Sequence, residues 1–448
     1  MHRQFDGTLK HQHDKAHIPH SFAVPDGTTA ISITLDYTCE SQAVVPPQIS
    51  LSLFDPAGAR GTRHNNGDQS IRLTQSTASP GYMPRAIRPG EWTVWIDVHR
   101  LLEPDVMTYS IRVELSAAPT DEAPVAVTRT PPTPRGRGWY RGDLHAHSLH
   151  SDARFEVAEL VQFARDYHLD FVTLTDHNTA SGLAEFDSLA TDDVLTMGGV
   201  ELTTYYGHAL ALGVREWQEW RVGLEGLTMS ELARRVIDGG ALYVIAHPTS
   251  VGDPWCTGCD WQFADMQPGS ARHIEIWNES WGGMGRNEHA LALWYQWLNE
   301  GYRMTATVGT DLHAPLTDPR PGFNVVYADE LSEQAIYAGL RQGHSYVSAG
   351  PRLEFTATSD RGAQAMMGDV LAGEVLDITV MWSQAEMGAR VRLIEDGQIA
   401  DEQGIPAEGQ RAWRRISGRW YVIEIRAADG DLLAATNPIF RGTAADWR

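Results

Sequence analysis

The stretch RGDLHAHSLHSD, residues 141–152, places His145, His147 and His150 beside Asp143 and Asp152. Imidazoles and carboxylates without a thiolate suit Zn2+, Mn2+ or Fe2+ in hydrolytic sites. His145 and His147 are two residues apart, so on a strand they project on the same side and can grip one ion. Further candidates follow singly along the chain. Asp176 and His177 end FVTLT, Glu201 ends LTMGGV, His208 begins HALALGV, His247 ends LYVIA, and Asp311 and His313 end MTATVGT. A carboxylate such as Glu201 can bridge two ions. Two bridged ions about 3.5–4 Å apart can hold a hydroxide whose pKa falls towards ~7.

These residues need elements that bring them together. FEVAELVQFARDYHL places Val157, Leu160, Val161, Ala164 and Tyr167 on one helical face. MSELARRVIDGG reads as a helix stopped by glycine, and NEHALALWYQWLNEG as another helix. DFVTLTDHN, VLTMGGVEL, HALALGV, ALYVIAHP, RHIEIWN and RMTATVGTDLH read as strands. Such βα alternation implies a parallel sheet, whose active site lies at the carboxyl ends of the strands. Nearly every candidate ligand stands at such an end.

The flanks differ. TTAISITLDY, QISLSLFDPAG, GEWTVWIDVH and YSIRVELS alternate apolar and polar residues and predict an N-terminal β-sandwich within 1–118. APTDEAPVAVTRTPPTPRGRG, with its prolines and no apolar period, predicts a linker over 119–138. VLDITVMWS, GARVRLIEDG and RWYVIEIRAADG predict a second sandwich over 351–448.

The chain has 448 residues, a net charge of −22 and lysine only at positions 10 and 15. That charge argues against nucleic-acid polymers and anionic membranes as partners, and leaves a small-molecule substrate, which bound cations can attract locally. No apolar run is long enough to span a bilayer, and the first residues, MHRQFDGTLKHQHDK, lack the apolar core of a signal peptide. The expectation is a cytoplasmic protein. Cys39, Cys256 and Cys259 cannot form a disulfide framework. The CxxC at 256–259 is open to three readings, a loop disulfide, half a zinc site or two plain thiols, and alone it points to no special chemistry. His11, His13, His17 and His20 read as a solvated loop ahead of the first sandwich.

The ordered set DLHAHSLHSD, LTDHN, GVEL, GHALALG, AHP and GTDLHAP, within 139–350, resembles the PHP (polymerase and histidinol phosphatase) superfamily of metallohydrolases. SEQAIYAGLRQGHSYVSAGP, AATNPIF and STASPGYMPRAIRPGEWTV further resemble its CehA/McbA-like branch. The resemblance implies an α/β fold, a distorted (β/α)7 barrel, holding two or three divalent ions (Mn2+, Zn2+ or Fe2+). By position, one ion takes His145, His147, Glu201 and Asp311. A second shares Glu201 and adds His208 and His247. A third takes Asp152, His177 and His313. Some members have a histidine where Asp152 stands, so His150 competes for that place, and Asp152 also reads as the N-cap before ARFEVAEL. Asp143 and Asp176 are expected behind the ligands, accepting the second N–H of a ligating histidine. Glu275, Trp277 and Asn278 are expected to line the pocket.

The implied activity is hydrolysis of a small-molecule phosphoester by a metal-bridging hydroxide. Glu201, His177, His313 and Arg286 form the expected catalytic set: Glu201 bridges, a protonated histidine releases the alkoxide, and Arg286 or Arg303 clamps the phosphoryl oxygens. No GxSxG or P-loop occurs, so acyl-enzyme and NTPase mechanisms lack support. The branch also includes carbamate and ester hydrolases, for which Trp255, Trp261, Trp277 and Trp281 would suit an aryl leaving group or simply pack. A non-catalytic metal- or ligand-binding protein is the alternative of a different class.

Overall fold

Strand alternation sets the architecture. In GEWTVWIDVHR, Trp92, Val94, Ile96 and Val98 are fully buried, a periodicity of two that puts one face of the strand into a core. The computed structural model describes residues 2–65, 67, 69–118 and 135–448. Its first module has β1 (His2–Lys10), β2 (His17–Val24), β3 (Ala30–Thr38), β4 (Gln48–Asp55), β5 (Gly58–Thr62), β6 (Ile71–Thr74), β7 (Gly90–Arg100) and β8 (Val106–Ser116). They form two antiparallel sheets, ordered β1-β8-β3-β6 and β2-β7-β4-β5. The sheets close face to face on Ile31, Ile33, Leu51, Leu53, Trp92, Val94, Ile111 and Val113. The first residues are strands rather than a preceding loop. β1 pairs with β8 over its whole length, and β2 with β7. The alternation there was hidden by histidines and by Pro19, which lies within β2.

The predicted linker at 119–138 lies outside the described residues as far as 134. The second module then runs β9 (Gly138–Ala146), α1 (Val157–Asp166), β10 (Phe171–Leu174), α2 (Leu183–Ser188), β11 (Leu195–Thr204), β12 (Gly207–Leu212), α3 (Met229–Asp238) and β13 (Leu242–Ile245). It continues through β14 (His273–Asn278), α4 (Asn287–Asn299), β15 (Thr305–Gly309), β16 (Phe323–Ala328), α5 (Glu333–Gln342) and β17 (Ser345–Ser348). Thr228 caps α3 by accepting from the Glu231 N–H at 3.2 Å, and Gly240, at φ 85°, turns the chain after its end. Val157, Leu160, Val161 and Ala164 of α1 are buried as predicted.

The strands lie in the order β15-β14-β13-β12-β11-β10-β9-β16-β17. β9, β10 and β11 are mutually parallel, as are β13, β14 and β15. Between them β12 is antiparallel to both neighbours. This departs from the predicted (β/α)7 barrel: five α-helices are present among the described residues, and the sheet is mixed. The reason is local. Only Tyr205 and Tyr206 separate β11 from β12, too few residues for a helical crossover. The two faces of the sheet are covered differently. Val200, Leu202, Ala209, Ala211, Tyr243 and Ile245 pack with α1–α4. Met197, Leu210, Leu212, Leu242 and Val244, of opposite parity, pack with Ile336 and Leu340 of α5.

The sheet curls until its β15 edge comes round to β9. Asp311 N donates to His145 O at 2.9 Å and His147 N to Leu312 O at 3.2 Å, joining the end of β15 to the end of β9. Farther down, side-chain amides replace a ladder. Asn324 accepts from Val308 N at 3.1 Å and donates to Val308 O at 2.6 Å, and Asn437 accepts from Ala306 N at 2.7 Å.

The last module has β18 (Arg352–Ser359), β19 (Gln364–Met366), β20 (Val370–Leu371), β21 (Leu376–Ser383), β22 (Arg390–Glu395), β23 (Gln398–Gly404), β24 (Gly409–Arg415), β25 (Trp420–Arg426), β26 (Leu432–Thr436) and β27 (Ile439–Arg441). One sheet, β19-β18-β21-β24, packs through Leu353, Phe355, Ile378 and Val380 on Val391, Leu393, Ile423 and Ile425. The facing sheet continues the central one, because β17 pairs with β26. No helix among the described residues is long and apolar enough to cross a membrane.

Candidate metal centre

Strand ends gather the predicted ligands. His145 and His147 leave β9, His177 follows β10, Glu201 lies on β11, His247 follows β13, and Asp311 and His313 follow β15. β12 runs the other way, so its first residues reach the same end, and His208 pairs with Thr203 of β11. The backbone bends sharply here. Asn178 (φ 56°), His247 (φ 28°) and Asp311 (φ 50°) are left-handed, each a strain of about 1–3 kcal/mol that the surrounding hydrogen bonds must hold. Gly309 is required for a different reason: a Cβ there would collide with His145 and the Glu275 carboxylate.

Three neighbouring groups result, two of them sharing His147. Ligand atoms of His145, His147, Glu201 and Asp311 lie within 4.8 Å of one another, as do those of His147, Asp152, His177 and His313, and those of His208, His247 and Cys259. Glu201 joins them. Its Oε1 lies 3.1 Å from His208 Nδ1 and 3.1 Å from His247 Nε2. Its Oε2 lies 3.3 Å from His145 Nε2, 3.5 Å from His147 Nε2 and 2.7 Å from His177 Nδ1. Asp152 Oδ1 faces His177 Nε2 at 3.3 Å and His313 Nε2 at 3.1 Å.

The tautomers make this a site for cations. His208 Nε2 donates to Thr257 O at 3.0 Å, His247 Nδ1 to Cys259 O at 3.2 Å, His145 Nδ1 to Glu275 Oε1 at 2.9 Å and His313 Nδ1 to Asp311 O at 2.7 Å. A carbonyl or carboxylate oxygen only accepts, so each of these rings spends its N–H there. The other nitrogen of each then aims a lone pair at a carboxylate oxygen. Such an arrangement is repulsive unless a proton or a cation lies between. His145 Nε2, His147 Nδ1, Asp152 Oδ1 and Glu201 Oε2 are buried without hydrogen-bond partners. The donor set and its unsatisfied atoms fit divalent cations.

Charge in the cluster is mutual. Burial would raise the Glu201 carboxyl, yet His177, His145 and His208 hold it well below the usual carboxylate range. Asp311 is lowered against burial by His145, His147 and His313, and Asp152 by His177 and His313. Burial opposes protonation of His247 and His313, but their contacts with Glu201 and Asp152 push both up to about 9. Burial and the adjacent His177 and His313 push His147 down to about 4.

Several expectations are corrected. Asp143 does not support a histidine ring; it accepts from Thr310 N at 3.1 Å and His145 N at 3.3 Å, fixing the β15 exit, and burial pushes it up to about 6. Asp176 accepts from Ser148 N at 2.7 Å and Ser151 Oγ at 2.8 Å, shaping the loop that carries Asp152. The carboxylate behind the ligands is Glu275, which binds His145 Nδ1 with one oxygen and His247 N, at 3.1 Å, with the other. Of the two rivals, Asp152 joins the cluster, while His150 contacts Ser181 Oγ at 2.8 Å. Asp152 caps no helix; the N-cap of α1 is Glu156. Arg286 is not brought to the centre. It is exposed at the start of α4, where its N donates to Gly283 O at 3.4 Å and its carbonyl accepts from His289 N at 2.8 Å and Thr249 Oγ1 at 3.1 Å. Arg303 donates to Gly368 O at 2.8 Å in the C-terminal module. Trp261, Trp277 and Trp281 are buried packing with bonded indoles. His11, His13, His17 and His20 find separate partners, among them Asp97 for His17 at 2.7 Å and Tyr109 for His20 at 2.9 Å.

A cavity of about 330 Å³ opens over the cluster, lined by Asp152, His177, His208, His247, Asn278, Asp311 and His313. Its outer wall adds Trp255, Cys256, Cys259 and Met284 and, from the N-terminal sandwich, Gln48, His64 and Arg100. The His64 ring lies 4.8 Å from that of His177, and burial with that neighbour pushes it down to about 3. Sequence reasoning missed these three. A histidine or arginine at the end of a sandwich strand carries no mark of the module it will face. Cys256 and Cys259 are joined as a disulfide, and Cys39 is free.

No protein-family model matches the chain, and no curated protein matches it. Among solved structures, the chain is similar to a two-domain protein containing a predicted PHP-like metal-dependent phosphoesterase from Bacteroides vulgatus, 16% identical over 71% of this chain and 100% of that one, with a TM-score of 0.39. It is also similar to an amidohydrolase from Chromobacterium violaceum, 19% identical over 39% of this chain and 88% of that one, with a TM-score of 0.26.

Proposed function

We propose that the chain hydrolyses small-molecule phosphoesters with two or three divalent cations, Mn2+, Zn2+ or Fe2+, and that it belongs to the PHP superfamily on its CehA/McbA-like branch. The supporting observation is the set of imidazole lone pairs turned on Glu201, Asp311 and Asp152 beneath an open cavity. Cations held by these residues would acidify a water and offset charge on the phosphoryl oxygens. The side chains do the rest. Glu201 presents Oε1 to His208 and His247 and Oε2 to His145, His147 and His177. The His313 side chain is 34% exposed, the most open histidine of the cluster, and its Nε2, turned on Asp152 at 3.1 Å, would hold a cation beside the cavity. Arg100 takes the part expected of Arg286, lining the cavity while Pro46 and Pro254 carbonyls hold its guanidinium. The cavity's size and the net charge of −22 support a small substrate over a nucleic-acid polymer or a membrane. The same reading takes the chain as cytoplasmic, which cell fractionation tests.

Trp255, 56% exposed on the cavity wall, favours a second reading: attack on a carbonyl carbon of an aryl carbamate or ester by the same centre. Turnover of p-nitrophenyl phosphate, bis-p-nitrophenyl phosphate and 1-naphthyl N-methylcarbamate separates the two. The phosphoester reading expects turnover of a phosphate; turnover of the carbamate alone overturns it. A cation-replete chain inactive on a wide ester panel would instead favour a binding role.

A further inference from the structure

The CxxC loop lies directly on one cation position. Thr257 O and Cys259 O are the acceptors that turn His208 and His247 towards Glu201. Gly258, at φ 77°, lets the loop lie that close; a Cβ there would collide with Thr204 O and stand 3.1 Å from His208 Nε2. The loop is held independently of its sulfurs. Thr257 Oγ1 donates to His99 O at 3.0 Å, and Arg100 Nη1 to Pro254 O and Trp255 O at 3.2 and 3.3 Å. Cys259 Sγ lies within 4.8 Å of a ring nitrogen of both His208 and His247, close enough to share an ion with them. That sulfur is bonded to Cys256, and a disulfide sulfur is a poor ligand where a thiolate is a strong one.

We infer that Cys259, released from Cys256 by a dithiol reductant, becomes a ligand beside His208, His247 and Glu201, converting a nitrogen–oxygen position into one that prefers thiophilic ions. This rests on the metal-centre reading above. The exchange balances: a thiolate of the dithiol attacks Cys256 Sγ, Cys259 leaves as the thiolate, and the second thiol of the reductant closes its own disulfide. Two electrons pass to the pair. Cys259 coordinates without its proton, which solvent keeps, and Cys256 remains a thiol. The pinned carbonyls of Thr257 and Cys259 stay in place, so ring orientation survives opening of the pair.

Cobalt(II) substitution of the full chain tests this, because a thiolate ligand adds a near-ultraviolet charge-transfer band that nitrogen and oxygen ligands do not. The band is expected to be absent from the oxidised chain, present after reduction by a dithiol that is then removed, and present without reduction in Cys256→Ser. It is expected to be absent from Cys259→Ser under both conditions, although that variant keeps Cys39. Cobalt bound to the reduced chain and to Cys256→Ser without the band would overturn the inference and leave the metal centre standing. Failure of every form to bind cobalt would overturn both.

Discussion

Beneath the cavity, His145, Glu201, His247 and Asp311 are each fixed by the backbone on a strand or just past its end, and all those strands belong to one sheet. The outer wall is assembled otherwise: Gln48, His64 and Arg100 come from a separate sandwich, and Trp255 and Thr257 from a long loop. The floor is tightly coupled, since its charges are set by one another. The wall touches it through single hydrogen bonds. The contrast assigns chemistry to the floor and selection to the wall, and it can be broken experimentally.

The largest effects belong to the floor. His145→Ala or Asp311→Ala should reduce turnover to background and lower metal content by elemental analysis; normal activity in either removes the floor's role. EDTA should inactivate, and Mn2+ or Zn2+ should restore. Glu275→Gln should leave the ligands present but loosen His145, weakening metal affinity by about 10–100-fold in a calorimetric titration.

Acidity should separate the regions next. Metal-free, His247 and His313 hold protons up to about 9, above the 6.5 of an ordinary histidine. A raised folded pKa gives stability that is complete below about 6.5 and lost as pH rises through about 9. His147, lowered to about 4, has the opposite sign, and stability is lost as pH falls from about 6.5 through about 4. The Tm of the EDTA-treated chain should therefore fall on both sides of neutrality. Saturating cation, which takes the place of those protons, should flatten the alkaline fall. A Tm independent of pH in both states would contradict the coupling.

Changes in the wall should be smaller and of another kind. Arg100→Gln should raise KM for an anionic ester roughly tenfold, the loss of one charged hydrogen bond, with metal content unchanged. Trp255→Ala should shift stability by less than about 0.5 kcal/mol and reduce a preference for aryl over alkyl leaving groups by a few-fold, about 1 kcal/mol.

The same contrast explains what could be read from sequence. The floor was legible because strand ends are marked by an apolar run giving way to polar residues, as at LTMGGVEL and MTATVGTDLH. His145, His147, Asp152, His177, Glu201, His208, His247, Asp311 and His313 all meet in the structure. Roles that depend on side-chain direction were not legible. Asp143 and Glu275 both lie on strands, yet only the second points at an imidazole ring. Arg286 was expected as a clamp on the phosphoryl oxygens, but its left-handed φ of 49° belongs to an exposed N-cap. The barrel count was overestimated because a strand run does not reveal its direction. Two residues between β11 and β12 reverse the chain, so two strands read in succession are antiparallel rather than parallel. The wall was illegible because its residues carry no mark of the module they face, as at His99, a sandwich residue whose carbonyl accepts from Thr257 of the loop.

The amide of Asn437 reaches back 131 residues to satisfy Ala306 on the strand that delivers Asp311, while β26 supplies the ladder for β17. A chain shortened after residue 350 would leave both edges raw and prone to pairing with other chains. The order of synthesis matters for the same reason. The strand that delivers Asp311 waits for Asn437 before its backbone is satisfied, so the reactive end of the sheet matures late, after the N-terminal sandwich that overhangs it has been made.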